Sequence, residues 1–290
     1  VAAPTFDLQS HSTWSDGALA PAEVVERAAA AGVELLALTD HDAIDGTDEA
    51  LDAAAAFGIR LVPAVEISAV DPAGEDLHIL GYGVDHRDPA LLERLTAYRA
   101  DREARAVRMI AALRDLGFSI DDEEILQRQA AGLPIGRPHI AAAIHRHPAN
   151  AERLRAEGIA DNPSDVLVAY LIDGAPAYRS RTLPTVIEAI EVIHAAGGVA
   201  VWAHPFWDVD AYEQVAAALR RFAAAGLDGV EAFYIEHARE QTLFLADLAD
   251  ELGLLTTGSA DFHGPAHKCF HRFRNFELHG REPNLGPLLG

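Results

Sequence analysis

Polar and apolar positions along this chain follow two periods, and the switches between them mark its elements. Short apolar runs bounded by Gly, Pro, Asp or Thr fall at Phe6–Leu8, Leu35–Thr39, 59–65, 76–84, 198–203, 228–233 and 254–259. Such runs read as buried strands. Between most of them, apolar residues recur at three- and four-residue spacing, predicting helices over 20–32, 47–57, 184–196, 211–225 and 238–252. Pro21 near a first turn and Gly32 just past an end match the usual placement of each. Strand alternating with helix argues for parallel βα units.

Five of these segments end an apolar run on a residue able to bind a metal: Phe6–His11, Leu35–His41, Arg60–Glu66, Val199–His204 and Leu254–His263. In a closed parallel barrel the carboxyl ends of the strands surround one bowl, where side chains distant in sequence converge. His, Asp and Glu delivered there repeatedly are what a multinuclear metal site needs.

The rhythm breaks over 88–180. Leu91–Leu116 is a long charged helical stretch with six arginines, and Glu123–Ala130, Pro138–His147 and Ser164–Leu171 read as shorter helices. The expected organisation is an α/β barrel over 1–87 and 181–290, with 88–180 a helical insertion capping the bowl. The arginines of 91–116, interleaved with acids, read as a solvated face.

Composition narrows the chemistry. The 290 residues carry a net charge of −22, which opposes attraction to long nucleic-acid backbone. A small phosphorylated ligand stays compatible, because bound divalent ions reverse the sign locally. Cys269 is the sole cysteine, so an internal disulfide and a thiolate metal site are excluded. No apolar run nears the ~18 residues that span a membrane, and no basic-then-apolar leader opens the sequence. A cytoplasmic protein is expected.

Of the fourteen histidines, His11, His41, His78, His204 and His263 fall within or at the ends of predicted strands. Three of them have a carboxylate nearby in sequence: Asp16, Asp40 and Asp261. A mixed imidazole and carboxylate set suits manganese, iron or zinc.

These residues carry a family resemblance. Asp7-Leu8-Gln9-Ser10-His11-Ser12-Thr13-Trp14-Ser15-Asp16-Gly17, Leu38-Thr39-Asp40-His41-Asp42 and Pro63-Ala64-Val65-Glu66-Ile67-Ser68 come first, followed by His78. Ala203-His204-Pro205 and Gly258-Ser259-Ala260-Asp261-Phe262-His263-Gly264 complete the order. Together they resemble the PHP (polymerase and histidinol phosphatase) superfamily of metal-dependent phosphoesterases. The resemblance implies a distorted (β/α)7 TIM-like barrel holding two or three divalent ions, manganese first among them. It implies one ion at Gln9, His11, Glu66 and Asp261, a second at Glu66, His78 and His204, and a third at Asp16, His41 and His263. Gln9 stands where the family usually has a histidine, so the first of these is expected to bind more weakly. Asp40 and Asp42 are read either as carboxylates orienting His41 or as helix caps.

By the same resemblance a metal-bound hydroxide attacks the substrate phosphorus, with Glu66 bridging the ions. Gly136-Arg137-Pro138-His139 resembles an Arg-x-His element of members that act on 3′,5′-nucleotide bisphosphates or short RNA 5′ ends. Arg137 is expected to bind phosphate bidentately, and His139 to bind phosphate or protonate the leaving group. Arg179, Arg181 and His237 are further candidates for substrate contact. The resulting expectation is hydrolysis of a phosphomonoester on a small molecule, such as a 3′,5′-nucleotide bisphosphate. The rivals are a 5′→3′ exoribonuclease acting on short RNA and a catalytically silent metal-binding module.

Overall fold

A computed structural model describes residues 4–71, 76–130 and 135–289. In chain order the elements begin with β1 (Phe6–Asp7), α1 (Pro21–Ala30), β2 (Leu35–Leu38), α2 (Thr47–Phe57), β3 (Arg60–Val70) and β4 (Asp76–Tyr82). The helical stretch is α3 (Pro89–Asp115), α4 (Asp122–Ala130), α5 (Arg137–Arg146), α6 (Ala151–Glu157) and α7 (Pro163–Tyr170). The chain closes with α8 (Val186–Ala195), β5 (Val199–Trp202), α9 (Pro205–Asp208), α10 (Tyr212–Ala224), β6 (Gly229–Tyr234), α11 (Arg239–Leu252) and β7 (Leu255–Ser259).

The seven strands form one sheet in sequence order, curled until its last strand meets its first. The seam is narrow: Leu8 N donates to Gly258 O at 3.1 Å, His11 N to Phe262 O at 2.8 Å, and Ser10 bridges Phe262 in parallel. The fold is thus a mixed α/β, nearly closed seven-stranded barrel. Tyr82 fills part of its interior, fully buried, with Oη donating to Leu8 O at 2.8 Å, while Trp202, also fully buried, packs edge-on against Phe222 of α10 at 5.2 Å. Outside, Val24, Val25 and Ala28 of α1 and Ala50 and Ala54 of α2 pack with Leu36, Leu38 and Leu61. Gly81 of β4 is required by α8, because a Cβ there would lie 2.7 Å from Ile193 Cγ1.

One strand departs from the parallel expectation. β4 runs antiparallel to both β3 and β5, pairing Ser68 with His78 and Leu80 with Val201. Too little chain separates Val70 from Asp76 for a helical crossover, so the two strands can only return directly on each other. The reversal has a functional consequence. The amino-terminal part of β4, carrying His78, lies beside the carboxyl-terminal half of β3.

By compactness the chain divides into two units, 1–96 with 184–290, and 97–183, the first boundary falling within α3. The second unit is helical and has its own apolar core of Met109, Leu113, Phe118, Ile140, Ile144, Leu154 and Val166. Asn150 knits it together, donating to Ser119 O at 2.8 Å and Ile144 O at 2.9 Å and accepting from Ser119 N. Arg105 departs from the solvated-face reading. It is 5% exposed, lies 5.1 Å over the Tyr178 ring and donates through Nε to Arg179 O. Its long stem allows burial while its head finds polar partners. Among the described residues no helix is long and apolar enough to cross a membrane.

Replacing Ile140 by Ala removes a fully buried side chain from the second core. The expected cost is about 2–5 kcal/mol, read as a lower urea midpoint at unchanged slope.

Candidate metal centre

The bowl's residues arrive from six strands of the first unit. Gln9 and His11 follow β1, His41 follows β2, and Glu66 lies within β3. His78 lies near the start of β4, His204 follows β5, and Asp261 and His263 follow β7. Neighbouring backbones are locked together: Asp42 N donates to Glu66 O at 2.8 Å and Glu66 N to Asp40 O at 3.3 Å.

The loop after His11 is folded by its polar side chains. Asp40 accepts from Ser12 N at 2.7 Å, Ser12 Oγ at 2.6 Å and Ser15 Oγ at 2.6 Å. Having given its proton to Asp40, the Ser15 hydroxyl accepts from His11 Nδ1, 3.2 Å away. That leaves the His11 Nε2 lone pair facing the bowl. Asp40 therefore acts on His11 through Ser15, while Asp42 Oδ1 accepts from Ser68 N at 3.1 Å. The helix-cap alternative does not hold for either, since α2 starts only at Thr47. Gly17 completes the loop, because a Cβ there would sit 2.2 Å from His11 O. Backbone strain gathers at the same end. Asp42, His204 and Asp261 have φ of 50°, 30° and 51°, a region costly for non-glycine residues and found where a site holds side chains in place.

All nine residues assigned to metal by the family resemblance meet here. Around Glu66 Oε2 lie His11 Nε2 and Gln9 Nε2 at 3.1 Å and His41 Nδ1 at 3.5 Å. Around its Oε1 lie His78 Nδ1 at 2.7 Å and His204 Nε2 at 3.4 Å. His11 Nε2 is also 3.1 Å from Asp261 Oδ1. Asp16 lies 3.7 Å from His41 Nε2 and 3.4 Å from His263 Nε2. His263 Nδ1 faces the Asp261 carbonyl at 2.7 Å, which assigns it the proton and turns the Nε2 lone pair toward Asp16. Two groups have donor atoms close enough to share an ion, His11 with Asp16, His41 and His263, and His41 with Glu66 and His78. His41 belongs to both. Gln9 enters through its amide N–H, its oxygen lying 3.4 Å from Ser259 Oγ.

The donor set fits divalent cations on its own chemistry. His11 Nε2, Asp16 Oδ1 and Asp261 Oδ1 are buried atoms without a hydrogen bond, an arrangement that costs free energy until a cation fills it. Electrostatics agree. Burial raises the Glu66 carboxyl, but the imidazoles of His41, His78, His11 and His204 outweigh it and hold the group well below the usual range. Asp16 is likewise buried yet held low by His41 and His263, and Asp261 is held at about 2 by His263 and His11. Burial pulls His11 down, but Asp261 and Glu66 draw it well above its ordinary value. A proton there occupies ground a metal ion would take, the usual linkage between metal and proton binding.

Behind these candidate ligands stand groups that the sequence pattern left without a role. Glu231 accepts from His204 N at 3.0 Å and from Ser259 Oγ at 2.6 Å. Burial pushes its carboxyl up to about 8, the Asp261 charge adding to this and His204 opposing it. The register of β6 shifts between Glu231 and Phe233, a kind of irregularity that re-aims side chains. Tyr234 Oη donates to Asp261 Oδ2 at 2.9 Å. Asp7 accepts from Ala260 N at 3.0 Å and Arg274 N at 2.8 Å, and burial lifts it to about 7. A lone acid inside the apolar run Gly229–Tyr234 was the available signal for Glu231, since a buried carboxyl demands partners.

The expected substrate contacts are placed differently. His237 is buried, with Nδ1 3.2 Å from Ala232 O and its ring edge-on to Phe206, and burial lowers it to about 4. Arg181 has a fully buried side chain, donating to Tyr98 O at 3.1 Å and lying 3.6 Å from Asp101. Those contacts serve the second unit's own packing. Arg179 donates to Tyr178 O at 2.6 Å. Arg137 and His139 open α5, where His139 Nδ1 accepts from Gly136 N at 2.9 Å.

Comparison with known proteins agrees with this geometry. The PHP domain family matches residues 7–161. The chain belongs to that family. A "5'-3' exoribonuclease" of Haemophilus influenzae is 36% identical over 260 residues, covering 90% of each protein. A "3',5'-nucleoside bisphosphate phosphatase" of Chromobacterium violaceum is 36% identical over 264 residues, covering 90% of this chain and 87% of that protein. A solved structure from Bifidobacterium adolescentis, assigned to the metal-dependent phosphoesterases, superposes with a TM-score of 0.77 at 31% identity, covering 92% and 91% of the two chains. This PHP protein is therefore a metal-dependent phosphoric ester hydrolase.

If Glu66 is the shared carboxylate, Glu66→Gln should lower turnover by more than about 100-fold, beyond the loss typical of a residue that merely orients a ligand. Circular dichroism should stay unchanged, and surviving turnover removes Glu66 from the role. For Gln9→His, which adds a lone-pair donor beside Glu66 Oε2, more metal per chain is expected by elemental analysis. Equal stoichiometry in parent and variant would count against weak binding at Gln9.

Proposed function

We propose that this PHP protein hydrolyses a phosphomonoester on a small molecule, with a nucleotide carrying both 3′- and 5′-phosphates as the leading substrate. The observation that carries the reading is the convergence of five imidazoles and three carboxylates on one barrel end, centred on Glu66. The Chromobacterium relative, named for this activity, supports the substrate class. Two or three divalent ions, manganese first, would be held by His11, Asp16, His41, Glu66, His78, His204, Asp261 and His263. When bound, such ions supply charge neutralisation and an activated water for in-line displacement at phosphorus.

The protein's own part is positioning, which dominates phosphoryl chemistry. Ser15 and Asp40 fix the His11 ring, the Asp261 carbonyl fixes His263, and Glu231 holds the backbone of His204. Arg137 and His139 keep the phosphate-binding and leaving-group roles that the resemblance gives them. The second reading, a 5′→3′ exoribonuclease on short RNA, is favoured by the Haemophilus relative.

Manganese-reconstituted protein separates these readings. Inorganic phosphate released from adenosine 3′,5′-bisphosphate, with little mononucleotide from a short 5′-phosphorylated RNA, is the expected outcome. Mononucleotide release in the reverse proportion identifies the nuclease. Metal uptake without turnover on either substrate leaves a silent module. Arg137→Ala should raise KM for the bisphosphate, and an unchanged KM removes Arg137 from phosphate binding.

A further inference from the structure

Three large aromatic side chains among the described residues are exposed, Phe57, Trp207 and Tyr212. Only Trp207 of these three is in ring contact with a candidate metal ligand, its indole centroid 6.5 Å from the imidazole of His204. It is 54% exposed, yet it is anchored from several sides. Its backbone N–H donates to His204 O at 2.8 Å, and its ring meets Phe270 at 5.8 Å and Tyr234 at 6.4 Å. Phe270 is itself buried, stacked on His267 at 4.9 Å and 15°, and 5.4 Å from His263. The indole thus stands on a fixed aromatic layer that touches candidate ligands on both β5 and β7.

We propose that Trp207 is the stacking platform for the base of the substrate nucleotide, and that it sets the preference for nucleotides over base-free phosphate esters. The inference rests on the proposed function above. A planar, apolar face 6.5 Å from the His204 ring is within a nucleotide's reach of a phosphate held at the centre, so a base can rest on it. Stacking on an aromatic ring accepts any base, since every base presents a π-face. It also needs no positive charge, which this acidic chain has in short supply. Anchoring by Phe270 and Tyr234 means little side-chain freedom is lost on binding, which is how a preorganised surface gains affinity.

The test compares adenosine 3′,5′-bisphosphate with the abasic 1-deoxyribose 3,5-bisphosphate in manganese-loaded parent, Trp207→Ala and Trp207→Phe proteins. In Trp207→Ala the ratio of kcat/KM for nucleotide over abasic substrate should fall about 10-fold or more, chiefly through KM. Trp207→Phe should keep most of the ratio. Tryptophan emission should be quenched by adenosine 5′-monophosphate in the parent and not in Trp207→Ala, in which Trp14 and Trp202 still report. An unchanged ratio, or equal loss on both substrates, overturns the stacking role while the phosphatase reading stands. Parent protein that turns over the abasic ester as well as the nucleotide overturns the stated preference. Parent protein inactive on the nucleotide overturns both readings.

Discussion

A carboxylate with no solvent exposure, Glu66 in the wall of the barrel, is the constraint around which the first unit is organised. Burying an anion is costly unless partners restore what water supplied. Glu66 has Gln9, His11 and His41 at one oxygen and His78 and His204 at the other. Those partners come from four separate strands or strand ends, β1, β2, β4 and β5. The barrel must therefore close, and in this register, before the charge is satisfied. The antiparallel β4 belongs to the same requirement, since only a direct return from β3 sets His78 opposite Ser68, two residues past Glu66.

The partners are held by a second layer whose chemistry is fixed by proton counting. Asp40 takes the serine protons, so Ser15 must accept from His11, and the His11 ring can then offer only Nε2 to the bowl. Glu231 reaches the opposite side through Ser259 and the backbone of His204. Strain at Asp42, His204 and Asp261 follows from the same arrangement, since each lies where the chain must turn sharply after a strand. Orientation in advance of binding is what a centre that acts by positioning requires.

Much of this could be read from the residue pattern, and the exceptions have physical causes. Apolar runs ending in His, Asp or Glu announced both the strands and the polar side chains that converge at the barrel's end, because burial and its polar exceptions leave a local signature. The direction of β4 left none in its own residues; it was encoded in the short connection after Val70. Arg105, Arg181 and His237 misled because charge on a sequence suggests solvent or ligand. Pairing of the two arginines with backbone carbonyls, and of His237 with Ala232 O, depends on distant chain. Glu231 was legible as an acid in an apolar strand, but its target could be named only once β5 lay beside β6. Trp207 gave no signal, since the ring layer beneath it comes from residues as remote as Phe270.

The division of labour follows from where charge resides. With 45 acidic against 23 basic residues, the chain as a whole repels a phosphate dianion. The nine residues that the resemblance assigns to metal all fall in the first unit, between Gln9 and His263. Bound divalent ions would reverse the local field there, as holding a phosphate requires. Affinity for the rest of a substrate must then come from contacts indifferent to charge. Stacking on an aromatic face is such a contact, and it allows an acidic protein to hold a polyanion through its one uncharged part.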